Sequence, residues 1–351
     1  MNNTGKQFSR RTFIQRTATG AIGALFAPIL NKAYGAYTSD APVLSRVVVV
    51  RDQNALDKES FEDSSINQKV VQVMMDDGIK SLTGIDTVGE AWKSLFPNLT
   101  QKTVIGIKVN SLYWLMYTHP KVTNAVVTGL TSMIVEGNPF PENNIIIWDR
   151  KDSHLKRGSY VINTGNTGVR CFGTNNDYTD EKFELVKGKK PQGISRIIAE
   201  QCDYLINLSV LKSHGLAGVT LSLKNHFGTC DNPWDLHDNC CDPAISVINS
   251  IPVIRQKQVV SICDAIFGST IDADKPPTVM PRSLIFSKDP VAMDMTGAKM
   301  LESYGAKTTS VDGLARHIIT SSQPPYNLGT CNPDRINTIT IENPSRKIIQ
   351  E

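Results

Sequence analysis

The feature that most restricts the fold of this chain is the run YLINLSVLKSH at residues 204–214. An apolar run of Leu, Ile and Val that lacks helical spacing is typical of a strand buried on both faces. The run closes with Lys212 and His214, which are two residues apart and therefore point to the same side of a strand. Such a strand requires covering layers on both faces of its sheet, which indicates an α/β fold.

Two further apolar runs end in polar side chains. GVTLSLKNH closes with Lys224 and His226, and TVIGIKVNS closes with Lys108 and Asn110. A strand is also predicted for QVVSICDAIFG, with its end at Asp264. Ligands in open α/β sheets bind at the carboxyl ends of the strands. We therefore expect these side chains to meet at one rim of the sheet.

The remaining sequence alternates strand-like and helix-like segments. RVVVVRD, NIIIWDR and SLIFSKDP are predicted strands, and INTITIE is a late edge strand. This β-α-β-α order predicts a mainly parallel sheet, mixed at its edge, with helices on both faces. We assign it to a single domain at residues 43–345. Residues 151–194, which are rich in Gly, Asn, Thr and charged residues, are predicted to be a polar surface excursion.

Several helix ends have recognisable signals. Gly84 is a predicted helix stop, and Gly137 is the predicted C-terminal cap of a helix of about five turns at residues 121–138. Asp289 followed by Pro290 predicts a helix start, with the aspartate as N-cap.

The first 36 residues predict export. SRRTFIQ contains the pair Arg10 and Arg11 with Phe13 two places on, and it resembles a twin-arginine signal. Small residues at Ala33, Gly35 and Ala36 supply a cleavage site, and the apolar run of about 14 residues is too short to span a bilayer as a helix. We expect the twin-arginine translocation machinery as a partner and a protein that is periplasmic after cleavage, soluble and without membrane attachment.

The charge balance argues against nucleic-acid binding. The whole chain has 37 basic and 34 acidic residues, and residues 1–36 hold five basic and no acidic residues. Removal of this segment leaves 32 basic and 34 acidic residues, a net charge of −2. A nucleic-acid-binding protein usually carries a clustered basic face, which this balance does not predict.

A metal site is predicted within residues 226–241, where imidazole and thiol side chains are dense. The candidate ligands are His226, Cys230, His237, Cys240 and Cys241. The twin-arginine route often carries proteins that take up a cofactor before export, so a transition metal of unknown identity is expected. An iron–sulfur cluster stays an alternative without a standard motif. A disulfide from Cys230 to Cys240 or Cys241 is the competing interpretation.

The strand-end residues divide into two predicted roles. The catalytic candidates are Lys212, His214, Lys224 and Asp264, and the substrate-binding candidates are Lys108, Asn110 and Asn225. Clustered lysines favour a small anionic ligand such as a carboxylate or phosphate, and an imidazole pKa near 6.5 suits proton transfer. Asp264 is expected either to orient a ligating histidine or to cap the following turn.

The function expected from these residues is an exported metal-dependent enzyme of redox or lyase/isomerase type. It would act on a small anionic substrate at the carboxyl edge of the sheet. The alternative is a non-catalytic periplasmic binding or cofactor-handling protein that uses the same pocket.

Four stretches carry a family resemblance: LINLSVLKSHGLAGVTLSLKNHFG, GIKVNS, CDAIFG and SKDPVAMDMTGAKML. They resemble the family called domain of unknown function 362 over roughly residues 43–317. The LK-x-H and KN-x-x-G elements correspond to Lys212, His214, Lys224, Asn225 and Gly228, and the DP-x-A-x-D element to Asp289, Pro290, Ala292 and Asp294. The resemblance implies no particular reaction. Many relatives are associated with iron–sulfur centres through an added segment of closely spaced cysteines, and this sequence contains no such spacing.

Overall fold

The computed structural model describes residues 44–346, so the predicted export signal lies outside the described residues. A nine-stranded sheet forms the centre of this part of the chain. The strands are β1 Ser45–Arg51, β2 Ile105–Lys108, β3 Ile134–Val135, β4 Asn138–Pro139, β5 Ile145–Asp149, β6 Arg170–Gly173, β7 Tyr204–His214, β8 Gly218–Thr220, β9 Gln258–Ser269, β10 Ser283–Ser287 and β11 Ile336–Glu342. β3 and β4 form a separate two-stranded hairpin.

The large sheet is mainly parallel. Its strands follow the order β11-β1-β10-β9-β7-β2-β5-β6, and β8 pairs with β7. β10 is antiparallel to both of its neighbours, β1 and β9, and β8 is antiparallel to β7. The remaining neighbours pair in parallel. This arrangement confirms the predicted mixed α/β sheet.

Helices cover both faces of the sheet. The α-helices are α1 Gln68–Thr83, α2 Val88–Lys93, α3 Pro120–Thr131, α4 Asp152–Arg157, α5 Ser222–Asn225, α6 Ala244–Ser250, α7 Pro252–Lys257, α8 Pro290–Ser303 and α9 His317–Ser322. A π-helix spans Ile197–Gln201, and 3-10 turns span Gln53–Ala55, Asp63–Ser65, Glu142–Asn144, His226–Thr229, Pro233–Leu236, Asp238–Cys241 and Pro333–Arg335. One apolar core cluster contains Met74 and Leu208, and the other contains Ile245 and Leu205. Alternate residues of β7 therefore fill two cores, as the strand period requires.

Two predicted helix ends are confirmed. Gly84 follows α1 with φ +74°, in the left-handed region that glycine adopts without steric cost. The Asp289 carboxylate accepts hydrogen bonds from the backbone N–H groups of Val291 and Ala292 at 2.8 and 2.9 Å, so it caps α8.

The predicted five-turn helix at residues 121–138 is wrong. α3 ends at Thr131, and Ile134 and Val135 instead pair with Pro139 and Asn138 in the small hairpin. Gly137, with φ +83°, lies in the turn of that hairpin and caps no helix.

The segment GVTLSLKNH also differs from its prediction. β8 ends at Thr220, and Lys224 lies on the single-turn helix α5 and not at the end of a strand. Asp264 lies within β9, which continues to Ser269. Within residues 44–346 no helix has the length and apolar character needed to cross a bilayer.

Candidate active site at the carboxyl edge of the sheet

A cleft of about 660 Å³, counted out to its open mouth, lies where β2, β5 and β7 end. These three strands are parallel neighbours, so their carboxyl ends lie side by side. The side chains that line the cleft include Lys108, Asn110, Tyr113, Asp149, Arg150, His154, Lys212, His214, Thr220, Lys224, Asn225, Phe227, Trp234 and His237. Three lysines, three histidines and one aspartate therefore share one opening.

Lys108 is the neutralised cation of the cleft. It is 1% exposed, and its Nζ lies 2.6 Å from Oδ1 of Asp149 and donates a hydrogen bond to the carbonyl of Val109 at 2.7 Å. Burial alone would raise the pKa of Asp149, but the charge of Lys108 and the hydrogen bonds from Ser111 outweigh it and lower this pKa. Lys108 therefore brings little net charge to a ligand.

Lys212 is a buried amine without a carboxylate partner. It is 1% exposed, and its Nζ donates to the carbonyl of Met116 at 2.9 Å and lies 5.3 Å from the ring centroid of Tyr113. No ion pair joins it to an acid among residues 44–346. Burial lowers the pKa of Lys212 to about 7, and the charge of Lys224 adds to this effect while Asp149 opposes it.

Lys224 is the second unpaired amine. It is 5% exposed, its Nζ lies 3.5 Å from the ring centroid of Phe227, and no acid within the described range forms an ion pair with it. Burial lowers the pKa of Lys224 to about 8, an effect that the nearby thiol of Cys241 offsets in part. The side chain remains mostly charged at neutral pH.

His237 fixes the position of Lys224. Its Nδ1 lies 2.9 Å from the carbonyl of Pro233, which can only accept, so Nδ1 carries the proton. Nε2 is then free to accept a hydrogen bond from the Lys224 ammonium at 3.2 Å. Burial and the charge of Lys224 lower the pKa of His237 to about 4, which keeps the ring neutral.

His214 has the opposite tautomer. Its Nδ1 accepts hydrogen bonds from the backbone N–H groups of Leu216 and Ala217 at 3.1 and 3.2 Å, so the proton lies on Nε2. Burial and the charge of Lys224 lower the pKa of His214 to about 2. The ring is a neutral hydrogen-bond donor on the wall of the cleft.

The two predicted amide residues meet. Asn110 Nδ2 donates to Oδ1 of Asn225 at 3.2 Å, and Asn225 Nδ2 donates to Oδ1 of Asn207 at 2.8 Å. Oδ1 of Asn110 is buried and has no hydrogen-bond partner among the described residues. The same holds for buried atoms of three other lining residues, Arg150 Nε, His154 Nδ1 and Thr220 Oγ1. Such atoms are unpaired polar groups that a polar ligand or water can satisfy.

Asp294 connects the DP-x-A-x-D motif with the KN-x-x-G motif. Its carboxylate, which is fully buried, accepts hydrogen bonds from the backbone N–H groups of Ser222 at 2.8 Å and Leu223 at 3.1 Å. These N–H groups begin the short helix that carries Lys224 and Asn225. The DP-x-A-x-D motif therefore positions the K-N motif from the interior, without reaching the cleft.

The structure disperses the predicted metal ligands. Among the five, His237 lines the cleft, whereas the other four are absent from its walls. His226 is fully buried, with Nε2 2.7 Å from the Gln258 side-chain oxygen and Nδ1 3.2 Å from the Thr229 hydroxyl. Within residues 44–346 no group of three or more His, Cys, Asp or Glu side chains is arranged to hold a metal ion. These residues do not fit a metal centre.

The alternative disulfide is also absent, since all seven cysteines are free. Cys230 and Cys241 are buried and Cys240 is partly exposed. Burial raises the pKa of Cys230 above its ordinary value, so its thiol stays protonated at neutral pH.

Asp264 lies outside the cleft. Its Oδ2 is 2.6 Å from Nδ1 of His119 and accepts the His119 backbone N–H at 2.8 Å. Asp264 therefore does not lie at the predicted strand end, because β9 continues past it, and its catalytic role stays a prediction. His119, to which the sequence assigned no role, is its partner.

Sequence reasoning missed several lining residues. The position of Asp149 in the cleft could have been predicted from the sequence, because Asp149 ends the apolar strand NIIIWD, which lies beside β2. Arg150 follows it directly. Sequence reasoning assigned no role to Tyr113, which a loop brings to the cleft, to His154 on the short helix α4, or to Thr220 at the end of β8.

Comparison with known proteins identifies the family. The family model described as "Domain of unknown function (DUF362)" matches residues 105–299, more than half of the chain, so the chain belongs to this family. No curated protein matches the sequence.

Two solved structures are similar in fold. A Thermotoga maritima protein has 12% identity and a TM-score of 0.40, with 68% of this chain and 59% of that chain covered. The lactate racemase apoprotein from Thermoanaerobacterium thermosaccharolyticum has 9% identity and a TM-score of 0.35, with 72% and 56% covered. The chain thus spans under two thirds of the length of either protein.

Proposed function

We propose that this family member is an enzyme of lyase/isomerase type that acts on a small organic anion in the carboxyl-edge cleft. The observation that supports the proposal most strongly is the pair of buried amines, Lys212 and Lys224, without carboxylate partners in the described residues. Buried charges are normally paired, so unpaired amines in an open cleft are typical of a site that a ligand completes.

Lys224 supplies the positive charge. With a pKa of about 8 it is mostly protonated at neutral pH, and one of its hydrogen bonds goes to neutral His237. Its remaining N–H groups can bind a carboxylate or phosphate oxygen in a low-dielectric setting, where such bonds are strong. Asn110, whose buried Oδ1 has no partner among the described residues, would accept a hydrogen bond from the same ligand, and Asn225 would hold Asn110 in position.

Lys212 supplies a reactive amine. A pKa of about 7 leaves roughly half of the Lys212 side chains uncharged at neutral pH, which suits an amine that takes part in proton transfer. Lysines act in this way when burial removes their charge. The Nε2–H group of His214 can donate to an oxygen on which negative charge develops during the reaction.

Proton transfer can be measured before the natural substrate is known. Purified protein in deuterium oxide would be incubated with a panel of 2-hydroxy and 2-oxo carboxylates, and exchange at carbon followed by proton NMR. We expect at least one anion to exchange, and Lys212→Met and Lys224→Met to abolish it. Lys257→Met is the matched control, because Lys257 is a half-buried lysine that donates to backbone carbonyls outside the cleft.

The outcomes separate two classes of protein. Thermal stabilisation by an anion without exchange for any of them would contradict the enzyme and favour the periplasmic binding protein, since stabilisation requires binding alone. Absence of both exchange and stabilisation would contradict an anion site.

We also propose that the protein reaches the periplasm through the twin-arginine machinery. The support is the SRRTFIQ sequence with Arg10 and Arg11. Replacement of both arginines by lysine is expected to keep the precursor in the cytoplasmic fraction, as judged by cell fractionation. Equal periplasmic amounts of the variant and the unaltered protein would contradict this route.

A further inference from the structure

We propose that Lys212 forms an imine with the carbonyl carbon of a 2-oxo acid whose carboxylate is held by Lys224. This inference rests on the proposed function, because it names the substrate class and the covalent step in the same cleft. The starting point is a contrast among the three buried lysines that line the cleft.

Lys108 is built to stay charged and unreactive. Its Nζ contacts the Asp149 carboxylate, the Val109 carbonyl and the side-chain oxygen of Asn225 at 2.6, 2.7 and 3.5 Å. Three acceptors match the three N–H donors of an ammonium group. No lone pair is available for reaction at this nitrogen.

Lys212 lacks this arrangement. Among the described residues its Nζ has one hydrogen-bond acceptor, the carbonyl of Met116, and the face of Tyr113 lies against it. An ammonium would leave two N–H donors unused in a site that is 1% exposed, which costs free energy. An uncharged amine needs only one acceptor and keeps a lone pair.

The charged residues around Lys212 have opposing effects on its pKa. Asp149, Asp272 and Asp274 favour its charged form, and Lys224 disfavours it. Burial outweighs all of these, so the pKa of Lys212 falls to about 7. A lysine that is desolvated or placed beside another cation is a recognised form of activated nucleophile.

The step balances without an added oxidant or reductant. The Lys212 nitrogen lone pair forms a bond to the carbonyl carbon, and the carbonyl π electrons move to oxygen, which takes a proton to give a carbinolamine. The hydroxyl group then leaves with a second proton, and the nitrogen loses both of its N–H protons in the course of the reaction, which gives the neutral C=N bond and one water. The Lys224 ammonium and the neutral Nε2–H group of His214 can donate hydrogen bonds to this oxygen from the cleft wall without giving up their protons.

The substrate class follows from the two lysines together. Lys224 provides one cation for one carboxylate, and Lys212 provides one amine for one carbonyl. A 2-oxo acid presents these two groups on adjacent carbons. A neutral ketone would leave the charge of Lys224 without a partner.

The test is reductive trapping. The full protein would be incubated with pyruvate or glyoxylate and sodium borohydride, and the modified lysine located by peptide mass mapping. We expect one adduct per chain, on Lys212, and labelling that falls about tenfold for each pH unit below the pKa of about 7. Acetone, which lacks the carboxylate, should label the same site at least about tenfold less.

Two variants complete the design. Lys212→Arg keeps a cation but cannot form an imine, so it should lose the adduct, and Lys224→Arg keeps the binding charge and should still be labelled at Lys212. Pyruvate or glyoxylate adducts spread evenly over exposed lysines would overturn the imine. If anions bind and exchange protons but neither 2-oxo acid labels Lys212, the imine is overturned while the proposed function stands. If no anion binds, both the imine and the proposed function are contradicted.

Discussion

The ammonium of Lys108 lies 2.6 Å from the carboxylate of Asp149, across the ends of two adjacent parallel strands. This ion pair is buried, and Ser111 donates two further hydrogen bonds to the same carboxylate. It removes one positive and one negative charge from the electrostatic balance of the cleft. The positive charge available to a ligand then comes from Lys224, Arg150 and the protonated fraction of Lys212.

Asp149→Asn should destabilise the protein by about 3–5 kcal/mol, because it leaves the Lys108 ammonium buried and unpaired. Urea unfolding at neutral pH measures this loss, and adding Lys108→Met should restore part of it. Because the folded-state pKa of Asp149 is lowered, its contribution is present above the unfolded value of about 3.9 and is lost as pH falls below it. A loss under about 1 kcal/mol would contradict a buried ion pair.

Lys212 should make the protein more stable as pH rises from about 7 to about 10. Its folded pKa of about 7 is lower than the unfolded value of about 10.4, so the unfolded chain binds more protons throughout this interval. Other groups also titrate here, so the quantity to measure is the difference in unfolding free energy between the unaltered protein and Lys212→Met at pH 7 and pH 9. A difference that does not change with pH would show that the folded-state pKa is ordinary.

Asp294→Ala should weaken anion binding although Asp294 lies behind the cleft. The carboxylate caps the short helix that carries Lys224, and loss of this cap should raise Kd about tenfold, equivalent to about 1.4 kcal/mol. Asn67→Ala is the matched control, because the Asn67 side chain caps α1 by the same type of bond away from the cleft. Equal effects of the two variants on Kd would mean that Asp294 does not position the site.

Gly228→Ala should damage the ion pair directly. A Cβ atom at this position would lie 2.9 Å from Oδ1 of Asp149 and 3.0 Å from Nζ of Lys108. We expect a loss of about 1–3 kcal/mol in stability and weaker anion binding. Gly313→Ala, where a Cβ atom meets only ordinary contacts, should change neither quantity. Anion affinity in Gly228→Ala equal to that of the unaltered protein would contradict the position of the pair on the cleft wall.

Asp264→Asn should alter stability and leave anion binding unchanged. Burial would lower the pKa of His119, but Asp264 and Asp63 outweigh burial and raise it. The stabilisation is then complete below the unfolded histidine value of about 6.5 and is lost as pH rises through the folded pKa. Unfolding at pH 6 and pH 8, with calorimetric titration of the anion, separates the two effects. Weaker anion binding would instead support the catalytic role first predicted for Asp264.

The sequence predicts the sheet better than the site. Runs such as NIIIWD and YLINLSVLKSH are apolar over most of their length because both faces of their strands are buried, and this property is local. The capping signals at Gly84 and Asp289 are local as well, and both predictions are confirmed.

The site depends on contacts between distant residues. Lys224 was predicted at a strand end, but Asp294, seventy residues away, begins a helix at Ser222 that sequence periodicity does not reveal. Asp264 follows an apolar run, as Lys212 does, and the two residues therefore received the same prediction. β9, however, continues past Asp264 to Ser269, so Asp264 lies inside the strand and not at its end. Density of His and Cys within residues 226–241 indicated a shared metal site, but only His237 lines the cleft, and the side chain of His226 is engaged by Gln258 and Thr229 in the interior.

The most direct test of the anion site is isothermal titration calorimetry of glycolate, a 2-hydroxy acid that cannot form an imine, against the unaltered protein and Lys224→Met, at pH 6 and pH 9. We predict binding to the unaltered protein at pH 6, and affinity at least about tenfold weaker at pH 9, because Lys224, with a pKa of about 8, loses its charge between the two. Lys224→Met should bind weakly at both. Equal affinity in the two proteins, or at the two pH values, would contradict a cleft that recognises anions through its unpaired lysines.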